Sequence, residues 1–124
     1  MSQPPGGIPA VHVTEAADRL ARDDGARPLL IDVREPDEFR DARVEGAALL
    51  PMSTFLLRHG ELPKDRPLLV MCAGGTRSAA ATGFLLRGGW TDVSNVDGGI
   101  TAWQRAGLPV RRGEPEPGEG DLQP

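Results

Sequence analysis

The fold class that this sequence predicts is an open α/β domain, a mostly parallel sheet covered by helices on both faces. Three observations predict it. Two apolar runs, Leu29-Leu30-Ile31-Asp32-Val33 and Leu68-Leu69-Val70-Met71, read as central strands buried on both sides. Helical patterns alternate with the strand candidates at short spacing, the order expected of a parallel sheet. At 124 residues the chain is one domain, large enough for a hydrophobic core without covalent staples.

Each element has its own local signals. Val11-His12-Val13 is a short first strand, after which Thr14 is placed to cap a helix from Glu15 to Arg22, with Gly25 past its end. Leu29 to Val33 is the second strand and Ala48-Leu49-Leu50 the third. Ser53 is placed to cap a helix over 54–59 that Gly60 closes. The fourth strand, Leu68 to Met71, leads through a glycine turn into a helix from Ser78 to Arg87, stopped by Gly88-Gly89. Val93 to Val96 is the fifth strand, and a helix from Gly99 to Arg105 ends at Gly107 and Pro109. The expected organisation is a flexible segment over 1–9, the domain over 10–112 and a disordered tail over 113–124. In such sheets the connections are right-handed and ligands bind outside the carboxyl ends of the strands. Topology therefore brings Cys72 and Asp32-Val33-Arg34 to one rim.

Charge and composition exclude several classes. The formal charge of −4 belongs to the tail, because Glu114, Glu116, Glu119 and Asp121 lie there and the remaining 14 acids balance 14 Lys and Arg. With a near-neutral body and no basic run, nucleic-acid binding is not expected. The Pro/Gly/acid-rich tail is the composition of a disordered, solvating segment. A single cysteine forms no internal disulfide, and no Cys/His cluster has metal spacing, so a reducing compartment is expected and no metal site. No secretory leader is apparent, and no apolar stretch nears the roughly 20 residues of a membrane span. A cytoplasmic protein is expected.

Cys72 concentrates the chemistry. It stands where a buried strand enters the turn Ala73-Gly74-Gly75-Thr76 and then a helix, so backbone N–H groups and the positive helix end gather beside its sulfur. Such groups lower a thiol's pKa and bind an anion carried on it. A packing role for a lone cysteine is the plain alternative. Against it stand Gly74-Gly75, which allow close backbone approach, and Arg77, whose forked donors suit an oxyanion. Ser78 either caps the helix or adds a hydroxyl donor. Cysteine phosphatases need five residues between Cys and Arg to enclose a phosphate; here four intervene, which suits a smaller group such as one terminal sulfur. No histidine base is evident, since His12 lies near the first strand and His59 ends a surface helix. A cysteine already ionised by its loop needs none to attack an electrophilic sulfur.

Three segments carry a resemblance to the single-domain rhodaneses, a sulfurtransferase family. Ile31-Asp32-Val33-Arg34-Glu35-Pro36-Asp37-Glu38-Phe39, followed by Val44-Glu45-Gly46-Ala47 and Pro51, is similar to the first family motif. Cys72-Ala73-Gly74-Gly75-Thr76-Arg77-Ser78 resembles the six-residue active loop and its exit into a helix. Asp97-Gly98-Gly99-Ile100-Thr101-Ala102-Trp103 with Gly107-Leu108-Pro109-Val110 resembles the closing motif. The resemblance spans roughly Val11 to Val110. It implies a rhodanese-like open parallel five-stranded sheet and a ping-pong reaction. Cys72 would take a sulfane sulfur as a persulfide from thiosulfate, a polysulfide or a protein persulfide, and pass it to cyanide or a thiol. The amides from Ala73 to Arg77 would stabilise the persulfide and Arg77 would hold an anionic donor. Neither metal nor organic cofactor is implied.

The chain departs from the family in two places. Ala42-Arg43-Val44 stands where members commonly have Gly-His-Ile, and Arg43 reads as a surface or turn residue. Ala73 follows the cysteine where many members carry a basic or bulky side chain, which favours a less charged donor than thiosulfate. Asp32 and Arg34 read as supporting residues that orient the rim through ion pairs. Gly98-Gly99 and Trp103 read as a turn, a helix start and a packing anchor. Two other function classes stay open: a non-enzymatic persulfide carrier or protein-binding module, and an oxyanion enzyme.

Overall fold

The computed structural model describes residues 7–22, 24–25 and 27–122. Its strands are β1 (Ala10–Val11), β2 (Leu29–Asp32), β3 (Ala48–Leu49), β4 (Leu68–Met71) and β5 (Val93–Val96). They form one five-stranded sheet in the order β1-β5-β4-β2-β3, every pair parallel. The helices are α1 (Val13–Leu20), α2 (Pro36–Asp41), α3 (Phe55–Arg58), α4 (Thr76–Arg87) and α5 (Gly99–Arg105).

Period-two alternation divides the core between the two faces. Leu29, Ile31, Val33, Leu68, Val70 and Cys72 point to one face, against Phe55 of α3 and Ala81 and Leu85 of α4. Leu30, Leu69 and Met71 point to the other, against Val13 and Ala16 of α1, Phe39 of α2, and Ile100 and Trp103 of α5. β2 and β4 are direct neighbours, in register from Leu29↔Leu68 to Asp32↔Met71. Beyond β2 the chain turns into α2 on one face; beyond β4 it turns into α4 on the other. Adjacent strands whose connections part in this way leave a crevice at their carboxyl ends.

Local structure departs from the expected elements in several places. α1 begins at Val13 because His12, not Thr14, is its cap: the Thr14 N–H donates to His12 Nδ1 at 3.2 Å. Ser53 caps no helix; its Oγ donates to Glu35 Oε1 at 2.6 Å, and 3-10 turns flank a shorter α3. α2, absent from the expected elements, starts at Pro36, whose fixed φ suits a first helical turn. α4 begins at Thr76, two residues before the expected start, with Gly75 as its N-cap.

The C-terminal residues 113–122, expected as a disordered segment, lie against the domain in this structure, where Arg43 gives them a buried anchor. Arg43 is 2 % exposed, not a surface residue. Its backbone exchanges hydrogen bonds with Arg111, and its guanidinium donates to Gly113 O at 2.7 Å and to Glu119 Oε2 at 2.6 Å. The Leu49 N–H on the outer edge of β3 then donates to Gly120 O at 2.7 Å, so the acidic segment covers an otherwise open sheet edge. Of the expected flexible segment, residues 1–6 lie outside the described part and Gly7 to Pro9 have no regular structure.

Candidate active site

Cys72 lies one residue beyond β4 with its side chain on the α4 face, as the alternation along the strand requires. Three donors meet its Sγ: the Gly75 N–H at 3.1 Å, the Ser78 N–H at 3.3 Å and the Ser78 hydroxyl at 3.2 Å. The residue is only 1 % exposed, so its sulfur faces the loop and not open water. Burial pushes the thiol pKa up, but the Ser78 hydroxyl and the amides of Ser78, Gly75 and Gly74 outweigh it. The net result is a pKa below the ordinary thiol value.

The loop keeps its amides toward the sulfur because its carbonyls are held elsewhere. Ile100 and Thr101, in the first turn of α5, donate to Cys72 O at 2.9 Å and Ala73 O at 3.0 Å. Asn95 Nδ2 on β5 donates to Gly75 O at 3.2 Å. That docking requires bare backbone. A Cβ on Gly99 would collide with Cys72 O and Ala73 O, and Gly99 has φ +60°. Gly75 turns the chain into α4 with φ +107°, a conformation that side chains rarely adopt.

The predicted site residues fall into two sets. Gly75 and Ser78 join Cys72 directly and the Gly74 amide favours its anion, whereas Ala73 is half-buried and Thr76 is exposed at the start of α4. Ser78 is a hydroxyl donor to the sulfur, and its Oγ makes no cap bond. Arg77 is turned to Glu38: its Nη1 and Nη2 donate to Oε1 and Oε2 at 2.8 and 2.9 Å. The Arg77 side-chain hydrogen bond is the main reason the Glu38 carboxyl is lowered to about 2, and Arg77 is raised in return. Asp32 and Arg34 do not reach the sulfur. Arg34 Nη2 donates to Asp32 Oδ2 at 2.7 Å and to Ala42 O at 2.7 Å, and Nη1 donates to Glu38 O at 3.1 Å. That network fixes the start and end of α2, and with it the place of Glu38.

Neither histidine approaches Cys72 through any contact the structure holds. His12 caps α1, and the His59 ring packs edge-on to Phe84 at 4.8 Å. No group of three or more His, Cys, Asp or Glu among the described residues is arranged to hold a metal ion. No helix among them is long and apolar enough to cross a membrane.

Residues 12–106 match the family model of the rhodanese-like domain. The chain belongs to the rhodanese-like family. A protein named sulfurtransferase from Allochromatium vinosum is 42% identical over 82 residues, covering 66% of this chain and 77% of the relative. Thiosulfate sulfurtransferase GlpE of Vibrio cholerae is 37% identical over 81 residues, covering 65% of this chain and 76% of that one. The crystal structure of a rhodanese-related protein from Thermoplasma volcanium superposes with a TM-score of 0.76 at 30% identity, over 84% of this chain and 98% of that one. The five-stranded parallel sheet is thus the rhodanese-like fold, and the named relatives place the domain among sulfurtransferases.

Three contributors to the site are not identified by the chain alone. Glu38 lies inside the first motif, but its partner is 39 residues away in sequence. Asn95 interrupts a strand pattern with a buried amide, a sign that its side chain has a backbone to hold. Gly99 reads as a helix start, and only the docked loop reveals why no side chain fits there.

Proposed function

We propose that this domain moves a sulfane sulfur from a donor to a thiol or cyanide acceptor through a persulfide on Cys72. The convergence of the Gly75 amide, the Ser78 amide and the Ser78 hydroxyl on one buried sulfur carries the reading. These donors favour the thiolate, which is the attacking species in sulfur exchange. In the first step the Cys72 thiolate attacks the outer sulfur of a donor R–S–SH. The new Cys72–S–SH bond forms as the donor's S–S bond breaks, and R–S⁻ leaves with the electron pair. With thiosulfate the products are the Cys72 persulfide anion and sulfite. In the second step an acceptor thiolate attacks the outer sulfur, and the Cys72 thiolate returns to its donors.

Low exposure supports transfer of a single atom. The persulfide bond adds only about 2 Å beyond Sγ, so the outer sulfur stays within the short loop, whose amides from Ala73 to Arg77 and whose Ser78 hydroxyl stabilise its charge. Four residues between Cys72 and Arg77 leave a ring smaller than one built for a phosphate.

Intact-mass measurement after incubation with thiosulfate or a polysulfide tests the reading. We expect a gain of one sulfur atom that is lost on adding cyanide and absent in Cys72→Ser. Full activity in Cys72→Ser would overturn it. Repeated turnover with small donors separates an enzyme from a carrier, which would load once and release its sulfur only to a protein.

A further inference from the structure

We propose that Glu38 sets donor choice: by holding Arg77 in a bidentate ion pair beside the Cys72 loop, it directs the site away from dianionic thiosulfate toward neutral or singly charged persulfides. The assignment rests on the sulfur-transfer reading and deepens it.

Arg77 is the cation that the Cys72 loop places at its helix exit, and it is not free. Both of its Nη groups are taken by the Glu38 carboxylate, at 2.8 and 2.9 Å. Glu38 is itself fixed, since its Oε1 also accepts the Glu35 N–H at 3.0 Å and its backbone carbonyl accepts Arg34 Nη1 at 3.1 Å. The carboxyl titrates at about 2, so the pair persists at any ordinary working pH. Arg34 offers no substitute, because it is buried and committed to Asp32 and Ala42. Ala73 supplies no charge.

A sulfonate that used Arg77 would have to displace a carboxylate of matching fork geometry. It would also bring two negative charges beside the displaced one, which like-charge repulsion opposes. A persulfide R–S–SH has no such requirement. Its outer sulfur is met by main-chain amides and the Ser78 hydroxyl, none of which Glu38 occupies, and its leaving group carries a single charge. The donor class is thereby selected by repulsion at the mouth while the chemistry at Cys72 is left unchanged.

The test measures kcat/KM for thiosulfate and for the persulfide of a small monothiol in wild type, Glu38→Gln and Glu38→Gln/Arg77→Met, each checked for an intact fold by its melting transition. Glu38→Gln should raise the thiosulfate value about tenfold, with a new salt dependence, while the persulfide value moves by less than about twofold. The double variant should return thiosulfate to the wild-type value, because the gain requires a freed Arg77. Should Glu38→Gln not fold, Glu38→Asp, whose shorter arm loosens the grip, should give a smaller rise in the same ratio. An unchanged or lower ratio of thiosulfate to persulfide activity in folded Glu38→Gln, with sulfur still loading onto Cys72, would overturn the role of Glu38 alone. If neither donor adds sulfur to Cys72 in any variant, the sulfur-transfer reading itself fails.

Discussion

Two neighbouring loops at the carboxyl rim of the sheet treat charge in opposite ways. The loop after β2 holds a full ion pair, Arg34 with Asp32, and consumes it: both residues are buried and every arm of the guanidinium meets an internal acceptor. The loop after β4 carries no fixed charge at its centre. It turns two amides and a hydroxyl onto a single sulfur. The first arrangement has nothing left to offer a ligand. The second favours a negative sulfur over a neutral one. Buried side-chain charge here builds the frame, and in the proposed reaction it is oriented backbone that stabilises the charge on the sulfur.

The largest expected effect comes from breaking the frame. Arg34→Ala leaves the Asp32 carboxylate fully buried without its partner and frees the ends of α2. It should destabilise the fold by roughly 3–5 kcal/mol, read as a lower urea midpoint. A loss below about 1 kcal/mol would mean that this pair is no more than a surface contact.

A smaller effect sharpens the contrast with the outer pair, Glu38 and Arg77, whose side chains are 32% and 36% exposed. In the fold the Glu38 carboxyl is held at about 2, against an ordinary 4.5, so the folded state binds fewer protons than the unfolded chain. Its stabilisation is present above the ordinary value and is lost as pH falls through about 2. Solvent screening keeps the contribution to about 1 kcal/mol or less. Urea unfolding across that acid window should show a shallower loss of stability in Glu38→Gln than in wild type. Parallel profiles would show that the pair contributes nothing to folding.

Much of this was legible in the chain. The apolar runs located β2 and β4 because fully buried strands carry their own pattern, and the turn after Leu68 to Met71 located the cysteine loop because glycine marks tight backbone. What stayed hidden depended on partners distant in sequence. Arg77 reads as an anion binder from its loop alone, and only the fold brings Glu38 to it. Arg43 looked like a turn residue, and the acidic tail looked disordered, because each is ordered by the other across 76 residues of chain. His12 is hidden for another reason: a ring nitrogen can cap a helix, but the usual cap residues include Thr14 and not histidine.

The most direct measurement is the ultraviolet titration of the Cys72 thiolate, free of interference from other thiols because the chain has one cysteine. With the Ser78 hydroxyl and the amides of Ser78 and Gly75 favouring the anion over the cost of burial, the midpoint should lie below the ordinary thiol value and move upward in Ser78→Ala. A midpoint at or above that value in the wild type, or one that Ser78→Ala leaves in place, would contradict the account.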